Sequence, residues 1–291
     1  MRPREIVVMS GKGGTGKTTL ASVLARALSG NCVLCDADVD VPDLWILLAP
    51  RVQVEEEFIG GDKATLHRPP CDDCGLCMPV CRFGALSAEN GKVTLDWSRC
   101  EGCGACTLVC PRGAFSLSPA VQGRIYGSET DFGSFWHARL APGGENSGRL
   151  VQILRERARK AALEQGKPWI LVDGPPGIAC PAISAMTGCS VALAVTEPSR
   201  SGLHDLKRLG ELAARFRVPM AVVLNRCDLS GEGSETIREA CRREGWPLLV
   251  EIPFLPGIVE DLARARIPEA ISPEMVRQIL EGIDTLLVPV K

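Results

Sequence analysis

"EIVVMSGKGGTGKTTLASVLARALSG", residues 5–30, places a short apolar run, a glycine-rich segment and an amphipathic pattern in direct succession. The apolar run is rich in β-branched residues and is followed at once by glycines, which predicts a buried strand that enters a tight loop. After Lys17 the apolar residues recur at helical spacing until Gly30, so we expect a helix that ends near this glycine. A strand, a glycine-rich loop and a helix in this order form the setting in which a loop binds phosphate groups.

The segment "GKGGTGKTT", from Gly11 to Thr19, has the spacing of a phosphate-binding P-loop. In such a loop, backbone N–H groups and the helix N-terminus hold the phosphates. By this pattern Lys17 contacts the β- and γ-phosphates, and the Thr18 hydroxyl binds Mg²⁺. The predicted nucleotide-binding residues of this segment are Gly11, Gly13, Gly14, Thr15, Gly16, Lys17, Thr18 and Thr19.

Further short apolar runs follow, and each ends in acidic, polar, glycine or proline residues. They are "CVLCDADVD" (32–40), "PWILVDGPPG" (168–177), "VALAVTEP" (191–198), "MAVVLNRCD" (220–228) and "PLLVEIP" (247–253). Helical patterns at 146–165, 202–216 and 234–244 precede or separate the later runs. Near-continuous apolar strands that alternate with helices predict an α/β fold with a doubly wound, mainly parallel sheet. In such sheets the functional residues collect at the carboxyl ends of the strands.

Residues 51–126 interrupt this alternation with clusters of Pro, Gly and Cys, and only short strand-like pieces such as "KVTLD" (92–96) are expected there. Two similar blocks lie in this stretch, "CDDCGLCMPVCRFGAL" (71–86) and "CEGCGACTLVCPRGAF" (100–115), and their similarity indicates a duplicated module. We therefore predict a P-loop domain formed by residues 1–50 and 127–291, with a small α+β domain inserted at residues 51–126.

Both blocks have the spacing C-x2-C-x2-C-x3-C, and the second continues with Pro111. This is the run of bacterial two-cluster ferredoxins, in which the fourth cysteine binds the other cluster. The run predicts one [4Fe–4S] cluster on Cys71, Cys74, Cys77 and Cys110, and a second on Cys100, Cys103, Cys106 and Cys81. Tetrahedral zinc is the alternative, but a zinc site needs two C-x2-C pairs rather than two tandem quartets. Arg82 stands where many ferredoxins have proline and leaves all eight ligands in place.

The chain has 291 residues, a net charge of −2 and 4% aromatic residues, which argues against a nucleic-acid-binding surface. No run approaches the roughly 20 apolar residues that span a bilayer, and the N-terminal residues lack the pattern of a secretory signal. We therefore expect a cytoplasmic protein, whose 14 cysteines form no disulfides in that compartment. The cysteines and histidines interpreted as packing or surface residues are Cys32, Cys35, Cys189, Cys227, Cys241, His67, His137 and His204.

The second lysine of the loop, Lys12, adds a resemblance to a known family. "KGGTGKTT" resembles the deviant Walker A motif of the MinD/Mrp/ParA class of P-loop ATPases, which includes the nitrogenase iron protein. "ENSGRLV", "DGPPGIACP", "TEPSRSGLHDLKR" and "IPF" are similar to other segments of this group. Nearly the whole chain thus resembles a MinD/Mrp-type ATPase with an inserted two-cluster ferredoxin domain. The resemblance implies ATP and Mg²⁺ as ligands, and an ATP-dependent homodimer or a heterodimer with a paralogue.

The same resemblance implies roles for individual residues. Lys12 would reach across the dimer interface to the partner's nucleotide, Asp36 would orient the Mg²⁺ shell and Asp38 would position the attacking water. Asp173, in "ILVDGPPG", would bind Mg²⁺ through water. The base would be recognised by the Asn225 side chain and by contacts with Pro253. The implied catalytic residues are Lys12, Lys17, Asp38 and Asp173, and the implied Mg²⁺ ligands are Thr18 and Asp36.

The predicted activity is hydrolysis of ATP to ADP and phosphate, which a nucleotide-gated dimer couples to electron transfer through the two clusters to a redox acceptor protein. The alternative is an ATP-dependent assembly factor or carrier that delivers iron–sulfur or related metal clusters to an acceptor, although the C-terminal C-x-x-C motif of Mrp-type carriers is missing. A third hypothesis is a positioning ATPase like MinD or ParA, which neither a membrane helix nor a basic DNA-binding stretch supports.

Cys180 is the remaining cysteine. It lies seven residues after Asp173, at the offset of a cluster-ligating cysteine in the nitrogenase iron protein. By that resemblance it is a candidate thiol at the dimer interface, where it would hold a metal fragment or a partner's cluster. The alternative is a buried packing thiol at the start of a helix.

Overall fold

The computed structural model describes residues 2–144 and 147–287. The strands are β1 (Arg4–Ser10), β2 (Cys32–Asp36), β3 (Arg51–Leu66), β4 (Leu86–Glu89), β5 (Lys92–Leu95), β6 (Phe115–Thr130), β7 (Gly133–Leu140), β8 (Trp169–Pro176), β9 (Val191–Thr196), β10 (Met220–Asn225) and β11 (Leu248–Ile252). The helices are α1 (Lys17–Ala27), α2 (Leu44–Leu48), α3 (Ala105–Val109), α4 (Ser147–Glu164), α5 (Cys180–Met186), α6 (Arg200–Phe216), α7 (Gly231–Glu244), α8 (Pro256–Ala263) and α9 (Pro273–Leu287). Glu145 and Asn146, which begin the "ENSGRLV" segment, lie outside the described residues.

The chain divides into two compact units. The first unit contains residues 1–55, 125–138 and 147–291, and the second contains residues 56–124 and 139–146. The divisions fall inside strands β3, β6 and β7, each of which has residues in both units. Both cysteine blocks belong to the second unit, and the P-loop segment belongs to the first.

The order of the nine-stranded sheet, among the residues that the structure describes, is β11-β10-β9-β1-β8-β2-β7-β6-β3. Strand β1 pairs in parallel with β8 on one side and with β9 on the other. The parallel pairing continues from β8 to β2 and from β9 through β10 to β11. The prediction of an α/β fold with a mainly parallel sheet is confirmed.

Strand β1 is buried on both faces. Ile6 and Val8 belong to a hydrophobic cluster that also contains residues of α1 and α9. Val7 and Met9, which alternate with them along the strand, are fully buried as well. Because successive strand residues point to opposite faces, both faces of the sheet are covered at β1, as a doubly wound sheet requires.

The C-terminal helix α9 packs on the sheet through the apolar side of its sequence. Ile279 and Ile283 are fully buried in the same cluster as Ile6, and Leu280 is partly buried against it. Across residues 2–144 and 147–287, every helix is too short or too polar to cross a membrane.

The expectation of only short strands between residues 51 and 126 is wrong. Strands β3 and β6 each contain 16 residues. Two glycines within these strands allow neighbouring groups to approach closely. A Cβ atom at Gly60 would lie 2.6 Å from the Gln122 side chain, and one at Gly123 would lie 2.6 Å from the Arg139 carbonyl oxygen. Glycine inside a strand commonly marks such an approach of a neighbouring chain segment.

Candidate functional site

The carboxyl ends of the central strands bring the predicted acidic residues together. Strands β1, β8 and β2 are neighbours, and in the register of their pairing Asp173 lies beside Val8 and Asp36 lies beside Asp173. The glycine-rich loop continues from the same end of β1. One side of β1 therefore supplies the carboxylates of the site, directly next to the loop that the sequence identifies as phosphate-binding.

The glycine-rich loop adopts backbone conformations that only glycine accommodates readily. Gly14 has a φ of 79°, and Gly16, the N-cap of α1, has a φ of 96°. A Cβ atom at Gly13 or Gly14 would have no atom within 4 Å, so the backbone of this part of the loop is open to an approaching ligand. The Thr15 hydroxyl oxygen is buried and has no hydrogen-bond partner. These features fit a cradle for phosphate groups.

Lys17 begins helix α1 and connects the loop with the acids. Its ammonium nitrogen lies 3.3 Å from Asp38 Oδ2 and 3.3 Å from Asp173 Oδ1. Burial alone would lower the pKa of Lys17, but the neighbouring carboxylates, Asp173 first, outweigh this effect and raise it. Lys17 is therefore positively charged at the base of the cleft, where it can bind phosphate oxygens.

Asp36 is completely buried and holds the segment that carries Asp38. Its Oδ1 accepts a hydrogen bond from the Asp38 backbone N–H (3.1 Å), and its Oδ2 accepts one from the Leu44 N–H (3.2 Å). Burial raises the pKa of Asp36 well above its usual range, and the charge of Asp173 adds to this. Burial also raises the pKa of Asp38, while Lys17 opposes the shift. Bringing so many carboxylates together is unfavourable unless cations compensate them.

The residues around Asp173 fit Mg²⁺ by the chemistry of their donor atoms. The Asp173 Oδ2 atom is buried without a hydrogen-bond partner, although Oδ1 contacts Lys17. Three carboxylates face one lysine, and hard oxygen donors are the ligands that Mg²⁺ prefers. Thr18 lines the same cleft, which also contains Asp38 and has an empty volume of about 1230 Å³ including space open to solvent. Thr18 and the unpartnered oxygen of Asp173 are therefore available to hold the cation, whereas both oxygens of Asp36 accept backbone hydrogen bonds.

The predicted base site lies on the other side of β1. At the ends of β10 and β11, Asn225 pairs in register with Ile252, so Pro253 follows directly beside it. Both line a largely apolar cavity of about 550 Å³ including open space, together with Gly16. Gly16 also lines the cleft of Lys17, so the two cavities meet at the start of helix α1.

The amide nitrogen and the amide oxygen of the Asn225 side chain each make one hydrogen bond. Its Nδ2 donates to the Thr15 carbonyl oxygen (2.8 Å), and its Oδ1 accepts from the Arg226 backbone N–H (3.0 Å). A side-chain amide has two donor hydrogens and two acceptor lone pairs, so one of each remains for a ligand. Asn225 thus connects the predicted base site with the glycine-rich loop. It retains one donor and one acceptor, as a bidentate contact with adenine requires.

Lys12 lies against acidic and hydroxyl groups of its own chain. Its ammonium nitrogen is 2.5 Å from Glu197 Oε1 and 3.1 Å from Ser201 Oγ. Arg226, which follows β10, is 3.4 Å from the other oxygen of Glu197. The Glu197 carboxylate therefore contacts both the glycine-rich loop and the loop after β10. Sequence reasoning missed Glu197 and Arg226. Glu197 directly follows the apolar run of β9, but only the strand order, in which β9 lies beside β1, shows that it is near the phosphate-binding loop.

The cysteine blocks of the second unit share one hydrophobic cluster. Cys77 and Cys100 are buried in it, and the block cysteines that pack against it while partly buried are Cys71, Cys81, Cys106 and Cys110. Cys74 and Cys103, the second cysteine of each block, are exposed. Within the described residues none of the cysteines forms a disulfide.

The fold brings the fourth cysteine of the second block to the first block. Burial raises the pKa of the Cys77 thiol, and neighbouring sulfur atoms raise it further. Those neighbours are Cys110, Cys71 and Cys74. Cys77 and Cys110 also belong to the same hydrophobic cluster, Cys77 as a buried member and Cys110 as a partly buried one, and the crossed ligand assignment stays a prediction. For Cys106, burial again raises the thiol pKa, and the sulfur neighbours are Cys100 and Cys103.

The two blocks also have the same backbone conformation at matching positions. Three pairs of residues with left-handed φ angles occupy equivalent places in the repeat. They are Asp73 (58°) and Gly102 (61°), Gly75 (77°) and Gly104 (76°), and Gly84 (64°) and Gly113 (58°). The turn hydrogen bonds match as well, since Met78 N–H donates to the Gly75 carbonyl and Thr107 N–H donates to the Gly104 carbonyl. The sequence duplication is therefore a structural duplication.

Backbone N–H groups point at sulfur atoms of the second block. Cys100 Sγ accepts from Ala64 (3.4 Å) and Gly102 (3.5 Å), and Cys110 Sγ accepts from Ala114 (3.3 Å). Iron–sulfur proteins use such hydrogen bonds to tune their clusters. Among the residues that the structure describes, no group of three or more His, Cys, Asp or Glu side chains is close enough to hold a single metal ion. The cluster assignment therefore rests on the cysteine spacing and on the packing of the two blocks.

The cysteines outside the blocks lie in varied surroundings. Burial raises the pKa of the Cys32 thiol to about 12 and that of the Cys241 thiol to about 11, as expected for packing residues. Cys35 and Cys189 are also buried, whereas Cys180 is exposed at the start of α5. The buried packing alternative for Cys180 therefore does not describe its position.

Gly16 offers a test of the loop geometry. A Cβ atom there would lie 2.5 Å from Asn225 Nδ2, and the residue has a left-handed φ. Gly16→Ala is expected to destabilise the protein by about 1–2 kcal/mol from the backbone conformation alone, and also to displace Asn225 and weaken nucleotide binding. Gly30→Ala is the matched control, because Gly30 has a φ of 78° and open space around a Cβ. Thermal denaturation and nucleotide titration measure both effects, and equal nucleotide affinities in the two variants would contradict the proposed geometry.

These features define a P-loop nucleotide-binding domain on a mainly parallel α/β sheet. Residues 6–268 match the model of the CobQ/CobB/MinD/ParA nucleotide binding domain, and the chain belongs to this family. Because most of strand β1, the glycine-rich loop and the acidic residues fall within the matched range, the family assignment and the geometry of the site concern the same part of the chain.

Two curated relatives come from the archaeon Methanocaldococcus jannaschii. The uncharacterized protein MJ0578 is 34% identical over 76% of this chain and 78% of its own length, and the uncharacterized protein MJ0579 is 28% identical over 77% and 81%. Among solved structures, the chain is similar to the septum site-determining protein MinD of Pyrococcus horikoshii complexed with Mg-ADP. That likeness covers 98% of both chains with a TM-score of 0.58 and 20% identity, which shows a shared fold.

Proposed function

We propose that this protein is an ATPase that carries two [4Fe–4S] clusters and uses nucleotide-gated dimerisation to control electron transfer through them. The observation that carries the proposal is the presence, in one chain, of the nucleotide site around Lys17 and of two duplicated cysteine blocks whose crossed members, Cys77 and Cys110, pack in one hydrophobic cluster. The proposed clusters would be bound by an inserted ferredoxin-type domain. The boundaries of that domain, residues 51–126, remain a prediction.

On the nucleotide side, Lys17 and the N–H groups of the glycine-rich loop would bind the phosphates of ATP. Mg²⁺, held by Thr18 and Asp36 with Asp173 contributing through water, would neutralise charge on the phosphate oxygens. Asp38 lies 3.3 Å from Lys17, and with Lys17 bound to the γ-phosphate it would orient the attacking water molecule. The water forms the new P–O bond as the bond to ADP breaks, and positioning together with charge neutralisation supplies most of the catalysis.

Base recognition would follow from the pocket beside α1. Asn225 retains one donor and one acceptor for an adenine edge, and Pro253 would pack against the ring. The Asp228 carboxylate accepts a hydrogen bond from the Phe254 N–H (2.7 Å), which fixes the loop that carries Pro253. This arrangement supports ATP as the nucleotide of the site.

On the cluster side, one four-iron cluster would be held by Cys71, Cys74, Cys77 and Cys110, and the other by Cys100, Cys103, Cys106 and Cys81. When bound, such clusters supply one-electron transfer. The chain's own contribution is the shared hydrophobic surroundings of the thiols and the N–H groups that point at Cys100 and Cys110. The hydrophobic surroundings would limit the access of water to bound clusters, and the N–H groups would stabilise the negative charge of the thiolate ligands.

ATP-dependent dimerisation is the proposed link between ATP hydrolysis and electron transfer. In it Lys12 would leave Glu197 and contact the nucleotide of the other protomer, and the exposed Cys180 is the candidate thiol at the interface. The two relatives of 34% and 28% identity come from one organism, which supports a heterodimer of paralogues as well as a homodimer. The expected further partner is a redox acceptor protein.

The second candidate function is a carrier that delivers clusters to an acceptor protein. The observation that favours it is the exposure of Cys74 and Cys103, which gives each proposed cluster one ligand that an incoming thiol can reach. A ferredoxin-type relay needs its clusters to stay in place, whereas a carrier needs them to leave.

The two functions make different predictions for the protein purified without oxygen. A relay is expected to keep its iron when it is mixed with an apo-ferredoxin and MgATP, and its dithionite-reduced clusters should pass electrons to a viologen acceptor faster with MgATP than with MgADP. Iron analysis after separation of the two proteins and the absorbance of the viologen measure this. ATP-dependent transfer of iron to the apo-ferredoxin would instead support the carrier, and a protein without iron–sulfur clusters would refute both.

A further inference from the structure

The ammonium group of Lys12 is held by a closely packed segment of its own chain. It lies 2.5 Å from Glu197 Oε1, directly after β9, and 3.1 Å from Ser201 Oγ, in the first turn of α6. The Ser199 hydroxyl caps this helix by accepting a hydrogen bond from the Gly202 N–H (3.0 Å), and it lies 3.1 Å from Ser201 Oγ. A Cβ atom at Gly202 would lie 2.3 Å from the Glu197 carbonyl oxygen. The fold therefore fixes the place that receives Lys12.

The Glu197 carboxylate binds two cations that come from different loops. Its Oε1 faces Lys12, in the glycine-rich loop, and its Oε2 accepts a hydrogen bond from Arg226 Nη1 (3.4 Å). Arg226 follows Asn225 and lines both the cavity of the predicted base site and the cleft of Lys17. The Lys12 and Arg226 side chains are 36% and 37% exposed, so water screens both ion pairs. Ion pairs at such places are weak enough to be exchanged.

The contact with Glu197 competes with the role proposed for Lys12 in the dimer. A lysine that reaches the nucleotide of another protomer has to leave the carboxylate of its own. An association that requires a released form is weakened by the fraction of molecules in that form. Arg226 makes the release less costly, because an ion pair is expensive to break mainly when the remaining charge stays uncompensated. After Lys12 leaves, the Glu197 carboxylate still has the guanidinium of Arg226 beside it.

We infer that Glu197 is the resting partner of Lys12. It holds Lys12 within its own protomer and thereby opposes ATP-dependent dimerisation, and Arg226 assists the exchange by staying with Glu197. This role rests on the proposed function, in the part that assigns Lys12 to the nucleotide of the other protomer. In the exchange Lys12 replaces a carboxylate by phosphate oxygens, and no covalent bond changes. Glu197 is a positioning residue, since it acts through Lys12.

The first test is the dissociation constant of the dimer, measured by analytical ultracentrifugation at saturating Mg-AMPPNP, an ATP analogue that resists hydrolysis. Glu197→Gln keeps the shape of the side chain and removes its charge. Each protomer of a homodimer must release one Lys12, so a roughly two- to fivefold gain for each weak ion pair should tighten the dimer by roughly 4- to 25-fold. Glu211→Gln removes an exposed carboxylate of helix α6 and is the control that should leave the dimer unchanged.

Arg226→Gln should have the opposite effect on the dimer. Without the guanidinium, the departure of Lys12 would leave the Glu197 carboxylate uncompensated, so the dimer should weaken. The double variant Glu197→Gln/Arg226→Gln should dimerise like Glu197→Gln alone, because Arg226 acts through Glu197. Residues with a merely structural role would weaken the dimer in all three variants. Saturation with the analogue removes any difference in nucleotide affinity from the comparison.

Chemical labelling of Lys12 tests the resting contact without a dimer. In the nucleotide-free monomer, an N-hydroxysuccinimide ester should acylate Lys12 roughly two- to fivefold faster in Glu197→Gln than in the unmodified protein, because the weak ion pair no longer protects the amine. Mass spectrometry of the digested protein measures the rate. Lys160, whose side chain is 69% exposed, should react equally fast in both proteins and serves as the internal control.

The resting role of Glu197 is excluded if Glu197→Gln leaves the dimer unchanged or weakens it, or if Arg226→Gln tightens it. Equal labelling of Lys12 with and without the Glu197 carboxylate also excludes it. If the unmodified protein forms no dimer with Mg-AMPPNP, the nucleotide-gated homodimer of the proposed function is refuted instead. The labelling rates alone then decide whether Glu197 holds Lys12.

Discussion

Lys17→Ala is expected to remove most of the nucleotide affinity of this protein. Lys17 is the only lysine that contacts Asp38 and Asp173 within the described part of the chain, and it faces the open part of the glycine-rich loop. A charge-assisted contact with a phosphate contributes ~1.5–3 kcal/mol, so its loss should weaken binding by roughly ten- to a hundredfold. Titration calorimetry with MgATP measures this directly.

The same substitution is expected to destabilise the fold. The side chains of Lys17 and Asp173 are 7% and 1% exposed, so the variant would leave buried carboxylates without their cation. Breaking a buried ion pair by removing one partner typically costs about 3–5 kcal/mol. Binding must therefore be measured at a temperature where circular dichroism shows the variant to be folded. Lys160→Ala removes a lysine from an exposed pair with Glu164 and should change neither property.

Lys12→Ala should behave differently, because Lys12 contacts Glu197 and Ser201 at the rim rather than the acids at the base of the cleft. We expect the monomer to bind nucleotide nearly as tightly as the unmodified protein, while ATP-dependent dimerisation and phosphate release are lost. Light scattering with MgATP and a phosphate-release assay separate these steps. An equal loss of nucleotide affinity in the Lys12 and Lys17 variants would rule out a role for Lys12 across the dimer.

Local sequence patterns predicted the strand, the loop and the helix around Lys17, because these elements are encoded locally. The apolar run "EIVVMS" predicts the strand, the glycines after it predict the loop, and the helical spacing of apolar residues after Lys17 predicts the helix. The acids Asp36 and Asp173 end apolar runs, and parallel strands bring such ends to one edge of the sheet. The side-by-side pairing of Asp36 and Asp173 follows from these two facts once β8 lies next to both β1 and β2.

The features that the sequence did not reveal depend on strand order and close packing. Glu197 becomes important only because β9 lies beside β1, and no local pattern states which strands are neighbours. The length of β3 and β6 was hidden by residues such as Gly60 and Gly123, which resemble turn signals in isolation but here admit a neighbouring side chain or carbonyl oxygen. Lys63 resembles an exposed strand residue in the sequence, and its burial arises from contacts with the distant Cys100.

The largest effect on cluster content is expected from Cys110→Ala. Because Cys110 packs in the same hydrophobic cluster as Cys77, and crossed ligation makes it the fourth ligand of the proposed first cluster, its loss should remove the cluster assigned to Cys71, Cys74 and Cys77. The four-iron count of each cluster then predicts a fall from roughly eight irons per chain to roughly four. Cys81→Ala should cause the same loss of iron but remove the other cluster.

The two variants distinguish crossed from uncrossed ligation because each leaves one cluster to be characterised. Under crossed ligation, the cluster that survives in Cys110→Ala is the one bound by Cys100, and the cluster that survives in Cys81→Ala is the one bound by Cys71. Cys241→Ala, a buried cysteine outside the blocks, controls for the loss of a thiol as such and should retain all the iron. If Cys110→Ala instead perturbed only the cluster of its own block, each block would bind its cluster alone. The proximity of Cys110 to Cys77 would then reflect packing rather than shared ligation.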